Sequence, residues 1–382
     1  MKRLFFLLSI ISHGVLFAQS KGLMTGADQI GTLLPKLEGK KVALMVNQTA
    51  VTGKTHLADT LQSRGIHLVK IFSPEHGFRG RADAGEEVKD GVDTKTGIPI
   101  VSLYGNNKKP STEQLQDVDL VIFDIQDVGT RFFTYISSLH YLMEACAENG
   151  KKIIVLDRPN PNGSYVDGPV LEPEQKSFIG MHPIPIVHGL TIGEFAQMIN
   201  GEGWLEGGKK CELEVVKMKK WRHADSYSLA IRPSPNLPND HAIGMYPSTC
   251  LFEGTALSIG RGTQHPFEFV GHPDLKNQPF SFTPVAIEGM DKNPKLGNQI
   301  CYGLDLRTEK LKKQVSLQHL IDLYQAFPEK DKFFISYFDK LAGNKILKDQ
   351  IKSGMTENQI RETWKGGLDA FKAKRKKYLL YK

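Results

Sequence analysis

The sequence predicts an α/β protein: a Rossmann-like, doubly wound and mostly parallel sheet, with a second, smaller α+β domain attached. Three observations predict it. Apolar runs rich in Val, Ile, Leu and Phe recur through the first half, each nearly continuous, as strands buried on both faces require. Helical segments fall between them, so the order reads βαβα. The length of 382 residues exceeds one average domain and makes two the natural expectation.

The elements follow in order. Strands are expected at 42–46, 68–72, 98–103, 120–125 and 153–156, with helices at about 55–64, 111–116 and 134–149 between them. A last apolar run, 184–187, precedes a helix at 191–200. The stretch Gly201-Glu202-Gly203-Trp204-Leu205-Glu206-Gly207-Gly208 then breaks the rhythm, and the domain boundary is placed there. This gives a Rossmann-like domain over 19–203 and an α+β domain over 204–382 that closes the cleft. The latter is expected to hold strands at 213–218, 255–260, 283–287 and 300–306 and helices at 316–326 and 356–374.

Residues 1–18 read as an export signal. Lys2 and Arg3 precede a mostly apolar run from Leu4 to Phe17, and Ala18 offers a small residue for cleavage before Gln19. The run is too short to cross a bilayer of about 30 Å, so an exported protein, periplasmic or secreted, with no stable membrane anchor is expected. The net charge of +7 invites a nucleic-acid reading. Much of the excess sits in Lys372-Ala373-Lys374-Arg375-Lys376-Lys377, which reads instead as a solvated helix end, and no nucleic-acid partner is expected. Cys146, Cys211, Cys250 and Cys301 lack zinc-site spacing. Cys146 reads as a packed thiol, and a Cys250–Cys301 bridge is compatible with an oxidising compartment.

In open parallel sheets, ligands bind outside the carboxyl ends of the strands. Three strand-end loops there carry acids, bases and amides among Gly and Pro: 73–80, 126–131 and 157–163. Glu75 is the first catalytic candidate. Pro74 and Gly77 constrain its backbone, and apolar neighbours such as Phe72 and Phe78 favour the protonated form that a general acid needs. Asp127 is the second carboxylate, with Asp124 a weaker choice inside its apolar run, since glycosidases use a carboxylate pair. Asp127 alternatively caps the helix near Thr134 or orients Arg131. His76 and His188, with Glu75 and Asp83, form the only metal reading, and without metal-site spacing no metal is expected. No Gly-x-Gly-x-x-Gly follows a strand, and Gly53-Lys54-Thr55 lacks the earlier glycine of a phosphate loop because Gln48 stands there, so no cofactor is expected. Neither Gly-x-Ser-x-Gly nor Ser-x-x-Lys is present. In the second half, the segments 233–238, 246–255 and 258–263 suggest a shaped loop surface with Glu253 and Arg261 as site members.

Six motifs then mark a family. They are Ser-Pro-Glu-His-Gly-Phe-Arg-Gly (73–80), Gln-Asp-Val-Gly-Thr-Arg-Phe-Phe-Thr-Tyr (126–135), Asp-Arg-Pro-Asn-Pro-Asn-Gly (157–163), Val-His-Gly-Leu-Thr-Ile-Gly-Glu (187–194), Pro-Ser-Pro-Asn-Leu-Pro (233–238) and Tyr-Pro-Ser-Thr-Cys-Leu-Phe-Glu-Gly-Thr (246–255). Over nearly the whole mature chain, the sequence resembles the NamZ exo-β-N-acetylmuramidases, glycoside hydrolase family 171, long catalogued as domain of unknown function 1343. The resemblance implies release of N-acetylmuramic acid from the non-reducing end of peptidoglycan fragments, in a cleft between a Rossmann-like domain and a second domain. It implies that the Glu of Pro-Glu-His-Gly, here Glu75, is the acid. Phe133 stands where many members carry Tyr, so one hydroxyl is missing. The substrate-binding set is His76, Arg79, Arg131, Tyr135, Asn160, His188, Asn236 and Glu253, which lie in these motifs, and Arg261 from the segment 258–263. Arg131, then Arg79 and Arg261, are the candidates for the anionic lactyl group, because Arg binds carboxylates bidentately. A non-catalytic muropeptide-binding protein and a metal-dependent amidase or deacetylase on the same fragments are the rival readings.

Overall fold

The computed structural model describes residues 22–75, 77–79 and 90–382. The export signal expected at 1–18, together with His76 and Asp83, lies outside the described residues.

A seven-stranded sheet organises the first half. Its strands are β1 (Val42–Val46), β2 (Leu68–Ser73), β3 (Gly91–Val92), β4 (Pro99–Ser102), β5 (Leu120–Asp124), β6 (Lys152–Leu156) and, after an antiparallel pair β7 (Asp167–Val170) and β8 (Pro185–Val187), β9 (Glu212–Val216). The order across the sheet is β9-β6-β5-β1-β2-β4-β3, parallel throughout except for the short β3. Counting only the parallel strands, this is the 3-2-1-4-5-6 order of dinucleotide-binding folds. The continuous apolar runs divide between two faces. Val42, Leu44 and Val46 of β1 pack against α1 (Ile30–Leu37) and α2 (Leu57–Ser63). Ala43 and Met45 face the layer that holds α4 (Tyr135–Glu148) and α5 (Ile192–Gly201). The short α3 (Thr112–Leu115) and α5 both begin with reciprocal capping boxes, Ser111/Gln114 and Thr191/Glu194.

The second half is α+β. A three-stranded antiparallel sheet, β10 (Phe269–His272), β11 (Phe280–Phe282) and β12 (Cys301–Asp305), has β12 at its centre. Helices α6 (Asp240–Thr249), α7 (Gln318–Ala326), α8 (Lys330–Phe333), α9 (Phe338–Ala342), α10 (Ile346–Lys352) and α11 (Glu357–Arg375) surround it. Their apolar faces join the α4/α5 layer in one continuous core. No described helix is long and apolar enough to cross a membrane. The basic run 372–377 ends α11, where Lys374 pairs with Glu202 at 3.0 Å and the cations complement the helix dipole.

Four expectations are corrected. The Gly-rich stretch 201–208 is a surface turn inside the first domain, because β9 follows it and pairs with β6, so the domain extends past Val216. The run 184–187 leaves the parallel sheet: Pro183 and Pro185 lack the N–H a central strand needs, and it pairs with β7 instead. The strand expected at 283–287 ends at Phe282, before Pro284, and 255–260 makes only isolated bridges up to Gly260, at φ +76°. All four cysteines are buried and unbridged.

Candidate active site

Glu75 stands just beyond β2. The Gly77 N–H donates to the Pro74 carbonyl at 3.1 Å and Gly77 takes φ +78°, a turn that fixes where Glu75 points. The Tyr104 hydroxyl donates to Glu75 Oε1 at 3.0 Å and the Thr134 hydroxyl to Oε2 at 3.3 Å. Burial and the adjacent Glu75 carboxylate raise the Tyr104 pKa, so the phenol stays protonated and donates. Thr134 occupies the cap position of α4 without capping it. Its hydroxyl is spent on Glu75.

These groups line a cavity of about 390 Å³ on the carboxyl side of the sheet. One wall comes from the loops after β2, β4 and β5, with Glu75, Tyr104, Phe132 and Phe133. The opposite wall is formed by Ser234 and, from the second half, by Tyr246, Glu253, Arg261, Asp291 and Tyr337. Phe132 meets Tyr246 edge-on at 5.2 Å, and Tyr246 meets Phe267 at 4.7 Å, so aromatic packing fixes the seam. The size, and the mix of aromatic walls with carboxyl, hydroxyl and guanidinium groups, suit a single sugar unit.

The structure brings Glu75, Tyr135, Glu253 and Arg261 of the sequence-derived set to this cavity. Tyr135 lines it and its hydroxyl lies 3.5 Å from the Glu75 carbonyl. Arg261 is paired with Glu253 through Nε at 2.8 Å and Nη2 at 2.6 Å. Burial opposes the charge of Arg261, but Glu253 outweighs it and raises the pKa.

The other described members of the set are held by contacts within the protein, outside the cavity lining. Arg131 is fully buried, and its guanidinium donates to the carbonyls of Pro169, Ile184, Leu341 and Ala342 at 2.8–2.9 Å. Burial lowers its pKa to about 9. It has no route to a ligand. Arg79 is held by Asp93 at 2.9 and 2.7 Å and by Asp59 at 3.2 Å, outside the cavity lining. Asp127 is buried and also absent from the lining. Its Oδ2 accepts the Gly129 N–H at 2.6 Å, bracing a turn in which Gly129 takes φ +79°, and it neither caps α4 nor meets Arg131. Burial raises its pKa to about 7. His188 lies 3.8 Å from Asp127, accepts the Leu190 N–H, and is pushed by burial down to about 3. Asn160 binds the Leu190 carbonyl and presses on Gly129, where a Cβ would lie 2.2 Å from its Oδ1. Asn236 binds the Met290 carbonyl at 3.0 Å. Asp124 is a partner of Arg158 at 2.5 and 2.8 Å. Phe72 and Phe78 are buried in the two core layers and do not line the cavity.

Sequence reasoning missed Tyr104, Thr134, Asp291 and Tyr337. Tyr104 is the second residue after β4, so the strand-end rule that found Glu75 applies to it equally. Tyr337 has no such signal, because only the fold of the second half brings it here. Among the described residues, one carboxylate group has metal-like spacing, Glu144, Glu148 and Glu206. It lies on α4 and beyond, where the Lys109 ammonium already pairs with Glu144 and Glu148 at 2.9 and 2.8 Å.

Comparison with known proteins bears on both halves. Residues 42–241 match the family model described as exo-β-N-acetylmuramidase NamZ, N-terminal, and residues 244–381 match its C-terminal counterpart. The chain is 40% identical over 390 residues to the peptidoglycan β-N-acetylmuramidase NamZ of Bacillus subtilis (strain 168), covering 95% of this chain and 92% of that protein. Two crystal structures of DUF1343 family proteins from Bacteroides fragilis NCTC 9343 share the fold. One has a TM-score of 0.88 at 45% identity and the other 0.82 at 31%, each covering 94% of this chain and 99% of its own. The domain limit near 241–244 agrees with β9 belonging to the first half. With both halves matched in sequence and the whole chain in fold, the protein belongs to the NamZ exo-β-N-acetylmuramidase family.

Proposed function

We propose that the protein is an exo-acting glycoside hydrolase that releases N-acetylmuramic acid from the non-reducing end of peptidoglycan fragments, with Glu75 as its general acid. One observation carries the assignment of the acid: the Glu75 carboxyl group enters a sugar-sized cavity at a strand end, positioned by the hydroxyls of Tyr104 and Thr134. Glycoside cleavage needs a proton delivered to the oxygen of the leaving sugar, and a positioned acid supplies about 10²–10⁴ in rate. Glu75 would give that proton. Tyr104 and Thr134 hold it in place, and a water molecule supplies the hydroxyl that the released sugar gains. Family membership supports the bond cleaved and the sugar released.

A chromogenic N-acetylmuramide tested beside the matching N-acetylglucosaminide decides the reading. Hydrolysis of the first far above the second is expected, and exhaustive chelation should leave the rate unchanged. Binding without turnover would favour the muropeptide-binding alternative, and a chelator-sensitive rate the amidase or deacetylase. Export, expected from residues 1–18, fits such a substrate, and mass spectrometry finding an intact Met1 on the native protein would refute it.

A further inference from the structure

Muramic and glucosamine sugars differ by one group, a lactyl ether that ends in a carboxylate when no peptide is attached. A site that separates them must read that group. Of the described residues that line the cavity, Arg261 is the one cation. It is also unusually well fixed. Gly260 and Gly262 flank it at φ +76° and +77°, and a Cβ at either would lie within 2.7 Å of a carbonyl, His265 or Val285. The Gly-Arg-Gly turn therefore has no room for a side chain at either flanking position.

Glu253 completes the setting. Both Nε and Nη2 of Arg261 reach the same oxygen, Glu253 Oε1, and the guanidinium lies 5.1 Å from the Phe267 ring centre. Glu253 is itself anchored. The Lys295 ammonium donates to its carbonyl at 3.2 Å and to that of Thr255 at 2.7 Å, and the next residue, Gly254, is pressed onto Phe338. A guanidinium has five donors, and this arrangement occupies one edge of it. No hydrogen bond to a described residue uses Nη1, and Nη1 is not among the buried unpartnered atoms. Arg131 has no comparable end to offer, since carbonyls occupy both of its Nη atoms, and Arg79 does not line the cavity.

We propose that Arg261, braced by Glu253, is the specificity-determining residue that reads the lactyl carboxylate through its Nη1 end. The inference rests on the muramidase reading above and names which part of the substrate this wall recognises. The Asp291 carboxylate of the lining repels an anion, so the lactyl group is directed to the Arg261 wall and the glycosidic bond is left for Glu75.

Calorimetric titration of N-acetylmuramic acid, its lactyl methyl ester and N-acetylglucosamine tests this. The wild-type protein should prefer the acid to both others by roughly ten- to a hundredfold, the range of a hydrogen-bonded charge pair. Arg261→Ala should bring the three to within about threefold of one another, and Arg261→Lys should restore part of the preference, a point charge replacing a fork. An Arg261→Ala protein with native circular dichroism that still prefers acid to ester overturns the proposal. Where that variant does not fold, Arg261→Gln, which keeps polarity without charge, is read by the same two outcomes. The two levels of inference separate cleanly. A wild-type enzyme that cleaves the muramide while the variants keep their preference overturns the Arg261 role alone, whereas one that neither binds nor cleaves it overturns both.

Discussion

Two hydroxyls converge on Glu75 from different elements, Tyr104 beyond β4 and Thr134 at the start of α4. Because the Tyr104 phenol is held protonated, it serves as a donor at any working pH. Tyr104→Phe removes that donor with little change of shape and should lower kcat by about tenfold, the lower end for a bond to a charged group. An unchanged kcat would mean that Thr134 and the turn at Gly77 suffice. Asp127 offers a pH test. Its folded pKa, near 7 through burial, lies above the ordinary 3.8, so folding favours the protonated form. The group therefore costs nothing below about pH 4, costs more as pH rises, and costs most above about pH 7. Asp127→Asn should accordingly gain about 1–3 kcal/mol in stability at pH 8 relative to its effect at pH 5, as read by urea unfolding. Equal effects at both values would contradict a buried, unpaired carboxyl. The sequence made Glu75 legible because strand position, Pro74 and Gly77 act locally. It misplaced Arg131 because what holds that side chain, carbonyls at 169, 184, 341 and 342, is far away along the chain.

Arg131 is better understood as a strut between elements. It joins the end of β7, the approach to β8 and the last carbonyls of α9, whose C-terminal dipole favours a cation in place of a counter-ion. Arg131→Met should cost about 3–5 kcal/mol of stability, because it strands several buried carbonyls at once. Thermal unfolding measures this, and a stable variant with a raised KM for muramides would return Arg131 to the substrate. The parallel strands were the readable elements. β1, β5 and most of β6 are buried on both faces, so their apolar runs are nearly continuous and cannot be mistaken for amphipathic surface strands. Proline keeps the apolar run 184–187 out of the parallel sheet and explains the failure at 283–287, where apolar content was present and the N–H was not. Helix α6 went unseen because Gly244 and Pro247 interrupt its pattern, although Asn239 caps it and Tyr246 on it supports the cavity.

In the whole molecule the two halves share one core, and the chain end is tied back to the sheet. The Tyr381 hydroxyl reaches Asp157 at the end of β6 and accepts the Met218 N–H at 2.9 Å, while the Leu380 N–H donates to Glu194 on α5. Asp157, a member of the third strand-end loop, is thereby committed to holding the seam, with Thr191 and Gly193 as further donors. The cavity depends on that seam, since one wall comes from each half. Sequence motifs marked both walls, but only the fold separates them: the first loop reaches the cavity through Glu75, while Asp157 and Asn160 of the third are held by contacts within the protein. The most direct test is the rate of Glu75→Gln, with a folded state verified by its melting curve, on natural fragments and on a nitrophenyl muramide. A general acid predicts a loss of at least about 10²–10⁴ on natural fragments and a smaller loss on the nitrophenyl substrate, whose leaving group needs little protonation. Near-normal rates on natural fragments would contradict the account and pass the proton to another group in the cavity.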